Sequence, residues 1–327
     1  MACSAKPEDK EADMIKSPTA LRFQIIAMAI IAICLPFILQ RSATDLLVFA
    51  GLYTIAGLGV GLLLGQCGIV NLAQALFYGI GAYATAYSTV TLGWSPLTGI
   101  MLGIMISVVI ALLIGIPLLR LHGFFLALAT LAAGTIGTIF FFEWDWLTGG
   151  TLGIGGMPSL SIAGFTFNTP FRFYYLVWAI VLVLLILANN LVRGRPGLAM
   201  RAMRDSAPAA EVMAVNIHAM RTKIFALSAG LGALAGSLFA HYSTYVSVES
   251  FTVQRSIIFL LIPVIAGARS VWGIIPGALF VTLVPELLAG FGDAHQMLFG
   301  IMLVLVVIFV PDGLSGIPAR LYKRFAQ

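Results

Sequence analysis

Residues 46–119 read LLVFAGLYTIAGLGVGLLLGQCGIVNLAQALFYGIGAYATAYSTVTLGWSPLTGIMLGIMISVVIALLIGIPLL, without one Asp, Glu, Lys or Arg. A helix needs roughly 20 consecutive apolar residues to cross a bilayer, so this run alone holds about three spans. The rest of the chain agrees: of 327 residues 60% are apolar and only 9% charged, with a mean hydropathy of +1.03. Soluble domains carry about 25% charged residues, so this composition excludes a soluble globular protein. It also excludes a transmembrane β-barrel, whose strands alternate in polarity over segments of about 10 residues, because stretches such as Ile104–Leu119 and Tyr174–Ala188 are unbroken apolar runs. The expected fold is all-α, a polytopic membrane helix bundle. Its 34 glycines suit that fold, since helices in lipid approach closely only through small residues.

Working outward from 46–119, the apolar runs are Phe23–Leu39, Leu46–Leu64, Leu72–Val90, Leu97–Leu119, Phe124–Phe142, Phe173–Leu191, Ile224–Tyr242, Ile257–Gly267, Trp272–Leu288 and Met297–Val310, about ten spans in all. The eighth is short and must borrow Val253–Ser256 to cross, so a broken or re-entrant segment is an alternative there, as it is at 65–75. With the N-terminus inside, fifteen of the 18 Lys and Arg residues fall in inner connections, and only Arg41, Arg172 and Arg255 in outer ones. This positive-inside bias predicts both termini in the cytoplasm. The expected organisation is a cytoplasmic tail at 1–22, a membrane domain at 23–311 and a basic cytoplasmic tail at 312–327. The pI of about 9.2 follows from this topology; the basic residues form no continuous face for nucleic acid.

Two connections are long. The outer one, 143–172, contains Thr148-Gly149-Gly150-Thr151-Leu152-Gly153-Ile154-Gly155-Gly156, glycines that permit tight turns. The inner one, 193–223, is too polar to span and is patterned as two short helices. Asp205 or Ser206 can cap the second, with Pro208 tolerated in its first turn and the helix running to about Val215. Ala209, Ala210 and Met213 are expected to share a face that, beside Arg201 and Arg204, looks like a docking element.

Catalytic chemistry finds no support. Cys3, Cys34 and Cys67 form no CxxC pair, and His122, His218, His241 and His295 are scattered without metal-ligand spacing. No GxxxxGK[ST] loop occurs, so any ATP and Mg used would be bound by another chain. Gln66, Asn71 and Gln74 bring three amides into the uncharged region. Polar groups at membrane depth either line a pathway or bond between helices, and both readings stay open here. Gly57, Gly61 and Gly65 form a ridge of small residues, as do Gly232 with Gly236 and Gly273 with Gly277.

Seven segments, in order along nearly the whole chain, resemble the permease subunits of branched-chain amino acid ABC importers, most closely the LivM type, within a wider group that includes urea and sugar permeases. They are GQCGIVNLAQALFYGIGAYATAY at 65–87, HGFFLALATLAAGTI at 122–136, LTGGTLGIGGMP at 147–158, GRPGLAMRAMRDSAPAAEVMAVNI at 194–217, ALSAGLGALAGSLFA at 226–240, GARSVWGIIPGALF at 267–280 and LVVIFVPDGLSGI at 305–317. The resemblance implies a ten-helix permease of a bacterial inner membrane, working with two ABC ATPase subunits, a homologous second permease and a periplasmic solute-binding protein. It places the family's ATPase-coupling segment on Arg201, Arg204, Asp205, Ala209, Ala210, Glu211 and Asn216. The sequence departs from the family pattern at Ala214, where glycine is usual, at Ala268-Arg269 in a Gly-rich turn, and at Asn71-Leu72-Ala73-Gln74, where a Ser-Leu-Gly-His-like run is common. An amino acid is the implied solute, with urea or an amide as alternative. A gradient-driven transporter is the rival from another class; it would favour paired carboxylates or a Lys deep in a span, whereas every Asp and Glu here maps to a connection or a span end.

Overall fold

The computed structural model describes residues 41–162, 165–309 and 313. The first apolar run and the two tails, apart from Gly313, lie outside the described residues. Every apolar run from Leu46 onward forms a helix. In chain order these are α1 (Arg41–Gly61), α2 (Gln74–Ala86), α3 (Pro96–Leu118), α4 (Phe124–Glu143), a single turn α5 (Asp145–Thr148), α6 (Pro170–Arg193), the short α7 (Arg195–Asp205) and α8 (Ala207–Val212), α9 (Ile217–Ser243), α10 (Val253–Ala266), α11 (Ile274–Leu288) and α12 (His295–Phe309). The fold is a polytopic helical membrane bundle.

Burial separates its layers. In α1 and α9, 83% and 78% of the apolar stretch is buried, against 33% in α3 and in α4 and 28% in α6. The first pair is therefore the core, and the others turn an apolar face outward, as helices facing lipid must. Helix α9 packs on α1, α2 and α3, and α1 packs further on α6, α10 and α11. The glycine ridges are the contact surfaces. A Cβ on Gly81 would overlap the Ala233 carbonyl and one on Gly236 the Tyr78 carbonyl, so α2 and α9 touch backbone to backbone. Gly57 meets Ile262 of α10, and Gly61 meets Ile274 of α11.

Two of the helices do not run through the bundle. After Gly61, α1 continues as a π-helical turn, Leu62–Gln66, and residues 68–73 form no regular structure. Helix α2 begins at Gln74, whose side chain reaches the carbonyl of Ala56. Ala56 lies ten residues back along α1 from Gln66, about 15 Å at 1.5 Å per residue, so the connecting chain climbs back into the bundle before α2 starts. Helix α10 is 14 residues long, about 21 Å against a hydrocarbon thickness of about 30 Å. The expectation that this span borrows Val253–Ser256 holds, and the helix still covers only about two-thirds of that thickness. It starts beside the first turn of α2, where the Ala75 amide donates to Ser256 Oγ at 2.9 Å. From there it follows α1, with Tyr53 and Phe259 rings 5.4 Å apart, toward the end where Gly65 abuts the Ala268 carbonyl. Arg255 occupies the first turn of this short helix, half-buried, with its guanidinium against Tyr53 of α1.

At the other end of α1, Asp45 accepts a hydrogen bond from the Tyr242 hydroxyl of α9. The 143–172 connection covers this end. Gly149, Gly150, Gly153 and Gly156 all take positive φ, the conformation that the sequence assigned to glycine. Strand β1 (Ile154–Gly155) pairs antiparallel with β4 (Tyr245–Val246), tying the loop to the end of α9, while β2 (Ser161–Ile162) and β3 (Phe165–Thr166) form a separate hairpin.

Candidate functional site

Of the residues singled out in the sequence, the coupling residues and Gln66 gather at the end of the bundle that carries α7 and α8. Helix α7 opens with Pro196 in its first turn and is basic in its last, where Arg204 sits, as the helix dipole favours. Ser206 ends it and caps α8, its Oγ accepting from the Ala209 amide at 3.4 Å, with Pro208 in the first turn. Helix α8 stops at Val212 rather than near Val215. The reason is local: Ala214 takes φ 58 and reverses the chain, a position where glycine would carry no Cβ penalty. Asn216 then caps α9, its Oδ1 accepting from the Ala219 amide at 3.0 Å.

The apolar face of α8 differs from the one expected. Ala210 is 2% exposed and packs inward, whereas Val212 and Met213 are 85% and 78% exposed. The outward face is therefore Ala209, Val212 and Met213, at the i, i+3, i+4 spacing of one helical side. Asp205 and Glu211 are exposed beside it.

Arg201 and Arg204 of α7 reach the other way, into the bundle. Arg201 Nη1 donates to the Val192 carbonyl at 2.9 Å, and Arg204 Nη1 donates to the carbonyl of Gly65. That carbonyl belongs to the π-helical turn closing α1. Helix ends leave carbonyls without intrahelical partners, and an arginine from a different element satisfies this one. Gln66, one residue on, donates from Nε2 to the Arg269 carbonyl at 3.2 Å, joining the same turn to the chain after α10. Gly65, Gln66, Val192, Arg201, Arg204, Asp205 and Arg269 enclose a cavity of about 140 Å³. Two groups assigned separately in the sequence, the coupling residues and Gln66, thus share one crevice.

Asn71 and Gln74 lie deeper and are fully buried. Gln74 Nε2 donates to the carbonyls of Ala56 (3.3 Å) and Ser228 (3.0 Å), while its Oε1 accepts from Asn71 Nδ2 (3.2 Å) and Ser228 Oγ (3.1 Å). Asn71 Oδ1 accepts from the Ala73 amide at 2.9 Å. One glutamine therefore joins α1, α9 and the start of α2, in surroundings where an unmet amide would be costly. Thr130 of α4 and Ser256 of α10 complete the set, accepting from the amides of Leu72 (3.1 Å) and Ala75. Sequence reading found the three amides but missed Ser228, Thr130 and Ser256, ordinary residues in apolar helices whose role depends on contacts between distant segments. Among the described residues no cluster of His, Cys, Asp and Glu is arranged to hold a metal.

Residues 42–310 match the family described as branched-chain amino acid transport system / permease component. The chain belongs to this family. Among curated relatives, the high-affinity branched-chain amino acid transport system permease protein LivM of Escherichia coli (strain K12) is 30% identical over 318 residues, covering 89% of this chain and 74% of the relative. The protein of the same name from Salmonella typhimurium (strain LT2) is 31% identical over 313 residues with the same coverage. A probable branched-chain amino acid transport permease protein LivM from Methanocaldococcus jannaschii is 23% identical, covering 82% of this chain and 92% of that one. No solved structure matches significantly. The LivM-type likeness expected from the ordered motifs is borne out. This permease is a multi-pass membrane protein and a transport subunit rather than an enzyme.

Proposed function

We propose that this permease is the membrane subunit of an ATP-driven importer for a small amino acid, branched-chain amino acids foremost. In this reading the α7–α8 end faces the cytoplasm of a bacterial inner membrane, and both termini lie on that side. A periplasmic solute-binding protein delivers the solute to the opposite end, and a homologous second permease completes the pathway. Two ABC ATPase subunits bind and hydrolyse ATP with Mg; this chain itself binds neither.

The observation that carries the proposal is the hydrogen bond from Arg204 to the Gly65 carbonyl. The outward face of α8, Ala209, Val212 and Met213, with Asp205 and Glu211 beside it, is the surface offered to an ATPase. Movement of α8 carries α7 with it, because the two helices abut at Ser206. Arg204 then pulls on the last turn of α1, and Gln66 passes the shift to the chain after α10. Gln66, Asn71 and Gln74 hold the interruption between α1 and α2, so they bound the translocation pathway by fixing the segment that must rearrange. An interrupted helix suits this task because irregular backbone at membrane depth is tolerated only inside protein or beside a water-filled cavity.

Gentle extraction of the C-terminally tagged chain from its native membrane tests the assembly. An ATPase and a second permease in stoichiometric amounts are expected; recovery alone or as a homo-oligomer favours a gradient-driven carrier instead. Arg204→Glu combined with Glu211→Lys is expected to abolish uptake while the protein stays in the membrane. Normal uptake in that double variant would refute the docking role.

A further inference from the structure

Arg255 is a half-buried charged side chain held against α1. It stands in the first turn of α10, its guanidinium carbon 5.6 Å from the centre of the Tyr53 ring, and it donates a hydrogen bond to the Tyr53 hydroxyl. Tyr53 lies eight residues along α1 from Asp45, about 12 Å inside that end of the bundle. Among the described residues no carboxylate pairs with Arg255. The start of α10 adds positive potential to it: the helix has no acidic residue in its first turn and no side-chain cap, so the partial charge of its N-terminus is also uncompensated. A cation at this depth without a counter-ion is costly, and here a helix dipole of the same sign raises the cost.

A second, independent feature points to the same place. The Tyr78 side chain is 2% exposed, and its hydroxyl has no hydrogen-bond partner. The Tyr78 ring lies 5.3 Å from that of Phe259, one turn beyond Arg255, and Phe259 in turn stacks edge-on against Tyr53 at 5.4 Å. Buried hydroxyls are almost always satisfied. A guanidinium without an anion, an uncapped helix start and a donor without an acceptor share one missing component, a small anion that accepts hydrogen bonds.

We infer that Arg255, with Tyr53 and Tyr78, forms a station for the carboxylate of the solute on its way through the membrane. The chemistry fits a carboxylate: the guanidinium fork matches its two oxygens, a phenol supplies a further donor, and the rings of Tyr53, Phe259 and Tyr78 bar water from one side. The station rests on the proposed amino acid transport and adds which end of the solute this chain holds, and where. A neutral solute such as urea would leave the guanidinium unpaired.

The test uses proteoliposomes holding the complete assembly with its binding protein, and radiolabelled L-leucine as probe. Arg255→Gln is expected to lower maximal uptake about tenfold or more, as loss of a charge-assisted bond predicts, with the half-saturating concentration unchanged because the binding protein sets it. Arg255→Lys is expected to keep roughly a third of the rate, since charge is retained without the fork. Tyr78→Phe removes a hydroxyl that has no hydrogen-bond partner within the chain, so thermal stability should hold while uptake falls about threefold or more. Wild-type uptake in Arg255→Gln overturns the inference. So does loss of the second permease from the Arg255→Gln assembly, which would make Arg255 an interface residue. So, too, does unchanged uptake in Tyr78→Phe. A wild-type assembly that hydrolyses ATP yet moves no leucine refutes the underlying amino acid reading before any variant is made, and the station falls with it.

Discussion

Two stretches of irregular backbone interrupt this helical bundle, and they are held by opposite means. The turn at 148–156 is closed at its start from within, and only its last residues pair with β4. Thr148 Oγ1 donates to the carbonyls of Phe141 (2.7 Å) and Trp144 (2.8 Å) and accepts from the Gly150 amide (3.1 Å), and four glycines supply the positive φ values. The break at 62–73 is satisfied from afar. Its Gly65 carbonyl is met by Arg204 and its Leu72 amide by Thr130, while its Asn71 side chain bonds to Gln74, which is itself held by Ser228 of α9. A locally closed segment keeps its shape whatever its neighbours do. A segment whose bonds belong to other helices must change when they move, and so it can transmit motion.

The contrast can be broken by substitutions on each side. The largest effect is expected from Gly65→Ala, whose Cβ would overlap the Ala268 carbonyl; backbone cannot give way as a side-chain tip does, and a loss of about 3 kcal/mol is expected at this packed contact. Thermal unfolding in detergent would register it, and an unchanged melting temperature would mean that α1 and α10 separate freely. Gln74→Leu follows. Four hydrogen bonds at about 0.6 kcal/mol each for membrane interiors give about 2 kcal/mol. Hydrogen exchange should rise together in α1, α2 and α9, and a rise confined to 67–74 would remove the claim of long-range support. Thr148→Val is expected to cost about 1 kcal/mol, with faster exchange limited to residues 141–153; spread into α9 would show that the two segments are not opposites. The smallest change is a gain: Ala214→Gly relieves a positive φ and should stabilise the α8–α9 junction by about 0.5 kcal/mol, visible as slower exchange at Val215 and Asn216.

Much of this was legible beforehand, because some signals are local. The helices follow from runs of apolar residues, the outer turn from its glycines, and the Ser206 cap from a hydroxyl two residues before a proline. Even the strained Ala214 was marked by its departure from the glycine usual in the family. What the sequence hid depends on depth and on direction. Hydropathy counts residues but does not measure what they pack against, so the contact of Arg255 with Tyr53 of α1 was not foreseen. The inward turn of Ala210 escaped for a related reason: α8 is shorter than expected, and its rotation is set by the Ser206 cap rather than by its own apolar pattern. Gln74 was visible as a polar residue in apolar surroundings, whereas its partner Ser228 was one serine among many in small-residue helices.

The π-helical turns that close α1 at Leu62–Gln66 and extend α2 at Tyr87–Thr91 each hold one residue more than an α-helical turn would, as an inserted residue does. Such an insertion rotates everything beyond it by about 100°, one residue's share of an α-helical turn. At the end of α1 that rotation sets which way Gly65 presents its carbonyl and Gln66 its amide. A chain one residue shorter between 62 and 66 would make an ordinary helix there, equally apolar, and would face Arg204 with the wrong side.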